Sequence, residues 1–172
     1  MDQAKAYRST LRGLRIMLII SIVGSGYALF SNLSMGLLYR PMQAIYESGE
    51  WKNMIPLMSQ LFSVDDVSLL EASMEQTMAV PRVVYLLWGL LYGMSLAGVI
   101  MMLRVNRNGF HFYAIAQLLV LIVTILFLGK SHLNVGDIML TILFIFYYFT
   151  TFRRLDALRP TPDTDTADSD HS

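Results

Sequence analysis

Apolar residues in this chain neither alternate with polar ones nor confine themselves to one-sided helical stripes. They gather into long uncharged blocks separated by short polar segments. Three blocks, residues 16–39, 83–103 and 110–129, contain no Lys, Arg, Asp or Glu. A bilayer core about 30 Å thick is crossed by about 20 helical residues, so each reads as a membrane span. A fourth uncharged block, Ile138 to Phe152, is about 22 Å long at a rise of 1.5 Å per residue. That is short for a span, which is therefore placed at residues 134–152 with Asp137 at the interface. Backbone exposed to lipid must satisfy its own hydrogen bonds, and no alternating pattern suggests a barrel, so all four spans are expected to be α-helices. The predicted fold is an all-α bundle of four transmembrane helices in one membrane domain, residues 16–159.

The flanking charges orient it. Lys5, Arg8, Arg12 and Arg15 precede the first span, Arg104 and Arg107 lie between the second and third, and Arg153, Arg154 and Arg159 follow the fourth. The opposite side has Arg40, Lys52, Arg82 and Lys130. An excess of nine basic residues over four places both termini in the cytoplasm. The crowded aromatics at the end of span four, Phe144 to Phe152, agree with a cytoplasmic interface next to Arg153 and Arg154. The first span reads as uncleaved, being too long for a secretory signal and followed by three more. Residues 1–15 form a basic segment with Lys5, Arg8, Arg12 and Arg15 along one side. Anionic lipid headgroups would attract it by about 1 kcal/mol per basic residue near the surface. Residues 160–172, with Asp163, Asp165, Asp168 and Asp170 among Thr, Ser and Pro, are expected to be a disordered acidic tail.

Residues 41–81 form the largest segment outside the spans. Asn53 can cap a helix with Pro56 in its first turn. Met54, Leu57, Met58, Leu61 and Phe62 then fall on one apolar stripe. Ser63 and Asp66 make a capping box for a second helix, with Phe62 and Val67 as its hydrophobic staple. Val67, Leu70, Met74 and Met78 continue the apolar face, and Pro81 ends it. The expectation is a short amphipathic helical pair capping the bundle between spans one and two.

Composition narrows the function classes. The chain has 172 residues, 55% of them apolar and 15% charged, against globular norms of about 45–50% and about 25%. With a mean hydropathy of +0.49, this is not a soluble enzyme. Thirteen basic and thirteen acidic residues leave no global field for a polyanion, so no nucleic-acid partner is expected. The absence of cysteine excludes disulfides, thiolate metal sites and the chemistry of four-span enzymes that work through cysteine pairs.

Candidate chemistry inside the spans is sparse. No acid lies in span one, which argues against proton-coupled antiport through a membrane carboxylate. Gln117, Ser21, Ser25 and Ser95 fall at similar depths and would form an interhelical polar layer. The functional alternative for that layer is a polar cavity for a small solute. Gly89, Gly93 and Ala97 make a small-xxx-small ladder that lets another backbone approach, within the chain or from a second protomer. Met54, Met58, Met74 and Met78 are soft donors that a folded-over cap could gather around Cu(I), although methionine more often fills apolar gaps. His132 and Asp137 are too few for a closed metal site and lack a nucleophile for a triad. His111 stands alone near an interface. Phosphate loops, dinucleotide fingerprints and HExxH or GxSxG motifs are missing. The expectation is a non-catalytic accessory, assembly or scaffold component acting by lateral helix association, without cofactor, in a bacterial inner membrane. Its partners would be the lipid bilayer and, through the small-residue face and the cap, itself or another membrane protein. The alternative is a small oligomeric permease or channel with its polar layer near Gln117.

Overall fold

The computed structural model describes residues 3–62, 67–130, 133 and 135–158. Among these residues there are six helices and no strand: α1 (Gln3–Ser48), α2 (Trp51–Phe62), α3 (Val67–Ala79), α4 (Arg82–Leu103), α5 (Asn108–Leu128) and α6 (Val135–Ala157). Four of them, α1, α4, α5 and α6, are long and apolar enough to cross a membrane, and α2 and α3 form the intervening helical pair. The architecture is thus the four-helix membrane bundle that the hydrophobic blocks predict. Most large apolar side chains outside the core, such as Val23, Phe30, Leu90 and Leu126, are exposed. A helix that is apolar all round and still exposed requires lipid as its solvent.

α1 is continuous for 46 residues, or about 69 Å at 1.5 Å per residue, and so projects well beyond the bilayer core. It runs through Pro41 to Ser48, which shortens the expected outer segment. A proline inside a helix removes one donor, but the apolar spacing of Met42, Ile45 and Tyr46 continues past it. The helix stops where Gly49 takes a φ of +75°. Tyr46 stacks on Trp51 across this corner, with ring centroids 5.6 Å apart.

α2 begins at Trp51, so Asn53 lies inside the helix rather than capping it. The amide of Lys52 bonds the Gly49 carbonyl and that of Asn53 the Glu50 carbonyl, at 3.1 and 3.0 Å. Among its described side chains α2 buries Ile55, 6% exposed, while Met54, Leu57 and Leu61 of the expected stripe are exposed. The side chains of Met58, Phe62, Val67 and Leu70, and the Ser63–Asp66 box, lie outside the described residues, as does the 160–172 tail. The end of α3 is secured by two tyrosines. The Tyr39 hydroxyl of α1 donates to the Met78 carbonyl and that of Tyr85 in α4 to the Thr77 carbonyl, each at 3.0 Å. These carbonyls belong to the last turn, where intrahelical donors run out.

α4 is the centre of the bundle, packing closely against α1 and α5. With α1 it interlocks in antiparallel register. A Cβ on Gly89 would lie 2.7 Å from Leu33 Cδ2, and one on Gly36 would lie 2.6 Å from Leu86 Cδ2. Each helix therefore seats a leucine over the other's glycine. With α5 the approach is backbone to backbone, because a Cβ on Gly98 would lie 2.7 Å from both the Gly109 carbonyl oxygen and the Tyr113 nitrogen. α4 then turns through Val105, whose φ is +57°. The Asn106 amide returns to the Met101 carbonyl and the Val105 amide to the Met102 carbonyl. This is a Schellman motif with valine where glycine is usual.

α6 joins the bundle at one end. Its buried residues, Tyr148, Thr151, Phe152 and Leu155, all lie in its second half. There Tyr148, Phe152 and Leu155 pack with Leu14, Leu18, Val99, Met102 and Tyr113 in one core cluster. A second cluster, Val80, Val84 and Tyr85 with Met35, Tyr39, Trp88, Val123 and Leu128, lies toward the α2–α3 cap and contains no α6 residue among those described. The bundle is closed at the end carrying the termini and split at the cap end, where the first turns of α6 stand away from α4 and α5. α6 also runs to Ala157, five residues beyond the expected end of the fourth span. Past that end Asp156 pairs with Arg107 of the α4–α5 turn, at 2.6 Å. Both groups are largely solvated, so the pair contributes about 0–1 kcal/mol.

Candidate functional site

The split leaves a cavity of about 610 Å³ among α1, α3, α4, α5 and α6. α4 contributes Tyr85, Trp88 and Tyr92 at the spacing of one helical face, and α5 contributes Gln117, Val120, Leu121, Thr124 and Leu128. Asn32 comes from α1, Gln76 and Thr77 from α3, and Asp137 and Thr141 from α6. Gln117 lies about 16 Å down α5 from Leu128, so the cavity reaches from the cap end into the middle of the span. Such a volume lies within the range of small-molecule sites, about 300–1,000 Å³.

Several lining groups have their hydrogen atoms already committed. The Tyr85 hydroxyl donates to the Thr77 carbonyl, the Thr77 hydroxyl to the Ser73 carbonyl at 2.7 Å and the Thr124 hydroxyl to the Val120 carbonyl at 2.8 Å. Asn32 Nδ2 donates to the Ala28 carbonyl at 2.7 Å. A hydroxyl has one hydrogen, so what the three hydroxyls keep for a guest is acceptor capacity, whereas Asn32 retains a second N–H. Trp88 Nε1 is buried and has no partner among the described residues. Its ring meets that of Tyr85 edge-on, with centroids 5.9 Å apart.

The expected polar layer divides into two connections. Gln117 Nε2 donates to Ser95 Oγ at 3.0 Å and Ser95 Oγ lies 3.2 Å from Ser25 Oγ, joining α5, α4 and α1 at the floor of the cavity. Ser21 is joined instead to Tyr148 of α6, at 2.7 Å. The Tyr148 hydroxyl donates to the Met17 carbonyl at 3.0 Å and so accepts from Ser21. Tyr148 is completely buried. Its place in an aromatic-rich run suggested an interfacial belt and concealed this role; the hydroxyl on an otherwise phenylalanine-rich stretch was the available signal.

Of the small-residue ladder, Gly89 packs under Leu33, Gly93 lies 3.6 Å from Leu29 Cδ1 by its notional Cβ, and Ala97 is exposed. The backbone crossing uses Gly98, one position round the helix from the ladder. Met54 and Met74 line a small apolar pocket of about 220 Å³ together with Met42, Ile55 and Trp51. Met78 is not part of that lining, and the Met58 side chain lies outside the described residues. Lys5, Arg8 and Arg12 flank a shallow groove on the first turns of α1, and Arg15 is exposed one turn further on. His132 lies outside the described residues. His111 is exposed and edge-on to Phe110. No group of three or more His, Asp or Glu side chains poised for a metal occurs among the described residues. No protein family, curated protein or solved structure matches this chain.

Proposed function

We propose that this multi-pass membrane protein is a small permease-type carrier that binds a polar solute in the cavity opened by the divergence of α6, and that it acts by binding rather than by catalysis. The observation carrying this reading is the position of Gln117, which lies mid-span yet lines a cavity continuous with Asp137 at the start of α6. A cavity of about 610 Å³ with polar groups in its lining within an apolar bundle calls for water or a ligand, since unfilled space beside polar groups costs stability. Association through the Gly89–Gly93 face is less favoured as the principal role, because α1 leucines already occupy it. The basic excess at the end carrying the termini supports a cytoplasmic location for both.

The test uses the natural absence of cysteine. In membranes, Q117C is expected to react with a small charged methanethiosulfonate, whereas L118C, exposed on the lipid-facing side of α5, is expected to stay unmodified. A Q117C side chain as unreactive as L118C would overturn the proposal.

A further inference from the structure

We infer that the cavity is built for a small protonated amine; this rests on the cavity reading above and specifies its ligand. Three observations converge on this. First, the carboxylate of Asp137 is the sole charged group lining the cavity among the described residues, and it takes part in no ion pair there. An anion at the mouth of a cavity, with no counterion among the described residues, favours a cation as guest. Second, Tyr85, Trp88 and Tyr92 present aromatic rings to the same space, and ring faces attract cations, tryptophan most strongly. Third, the hydroxyls of Tyr85, Thr77 and Thr124 each direct their one hydrogen to a backbone carbonyl. The oxygens left over accept and do not donate. An ammonium brings donors and no acceptors, which complements these hydroxyl oxygens. A neutral polyol would leave the charge of Asp137 uncompensated and an anion would be repelled by it.

A quaternary ammonium satisfies the first two observations but not the third, so a primary amine is the expected ligand. The same headgroup chemistry occurs on a free solute and on an aminophospholipid, and the two sources are separable by experiment. W51F leaves Trp88 as the remaining tryptophan, since the chain has two, and makes the cavity wall its own reporter. In maltoside micelles at neutral pH, ethanolamine and n-butylamine are titrated against their neutral counterparts, ethylene glycol and n-butanol.

The expected result is a saturable change in Trp88 emission with either amine, none with the alcohols, and an apparent affinity about tenfold weaker in D137N. Asp137 is exposed in the first turn of α6, so asparagine there leaves the fold intact. In phosphatidylglycerol nanodiscs, adding phosphatidylethanolamine is expected to abolish the response if the headgroup is the ligand and to leave it unchanged if a free amine is; both support the assignment. Equal responses to amine and alcohol, no response to either amine, or an undiminished response in D137N would overturn it. Reactive Q117C alongside such a failure leaves the cavity standing and removes only the amine; unreactive Q117C removes both.

Discussion

Replacing Gly98 by alanine tests the packing that holds α4 against α5. An added Cβ would lie 2.7 Å from the Gly109 carbonyl oxygen and 2.7 Å from the Tyr113 nitrogen, and 3.2 Å from Phe112 Cβ. Two of these three atoms are backbone, so no rotamer change relieves the contact and the helices must separate. Overpacking of this kind costs about 1–3 kcal/mol, and the helix propensity of alanine over glycine returns about 0.8–1 kcal/mol. The upper part of the overpacking range applies, because the obstructing atoms are fixed. The net expectation is a loss of about 1–2 kcal/mol. Two glycines serve as internal controls. A Cβ on Gly24 meets nothing within 4 Å and one on Gly93 meets Leu29 Cδ1 at an ordinary 3.6 Å. G24A should therefore gain up to about 1 kcal/mol and G93A should be near neutral. Dodecyl sulfate titration from maltoside micelles, read by far-UV circular dichroism, gives the three midpoints. A midpoint for G98A equal to or above that of G24A would refute the close backbone crossing.

Three further substitutions probe other parts of the account. Val105 sits at φ +57°, which costs an L-residue about 1–2 kcal/mol. After the unfolded-state entropy of glycine, about 0.5–1 kcal/mol, V105G should stabilise by about 0.5–1 kcal/mol in the same titration; destabilisation would contradict the turn. Y148F deletes the hydroxyl that donates to Met17 and accepts from Ser21, and should cost about 0.6–2 kcal/mol, with no loss if the buried connection is absent. D156N breaks a solvated pair with Arg107 and should cost under about 1 kcal/mol, less at high salt; a larger, salt-independent loss would show that the pair is more deeply engaged than its exposure indicates.

The four spans were legible because lipid imposes a length and a composition that few other environments demand. Residues 83–103 and 110–129 match α4 and α5 to within one or two positions for that reason. The end of α1 was not legible. Arg40 and Pro41 together read as a terminus, but a proline on an exposed helix surface removes one bond to the preceding turn and leaves the rest of the ladder intact. Part of the α2 stripe was not legible for a different reason: a stripe identifies an amphipathic helix without saying which neighbour will receive it, and among the described side chains Met54, Leu57 and Leu61 are exposed while Ile55 is packed. The ladder Gly89–Gly93–Ala97 follows one face, whereas α4 must serve two neighbours. Gly98 lies on the second face, toward α5, where a search at intervals of four starting from Gly89 does not reach it. The cavity was the least legible feature. Gln117 was recognisable as the deepest strong polar group in the spans. That it would line open space depends on α6 diverging at its first turns, and although Val135 to Leu143 lacks the aromatic residues of the packed half, a run of aliphatic residues suits lipid and helix contact equally.

The divergence of α6 is the central claim, and cysteine scanning along α5 tests it most directly. Single cysteines at 117, 120 and 124, which line the cavity, are compared in intact membranes with cysteines at 118, 122 and 126, which are exposed on the lipid side. A small charged thiol reagent should modify the first set and spare the second, giving a helical period that faces α6. Uniform protection of both sets would mean that α6 closes against α5 along its whole length and that no solute cavity exists.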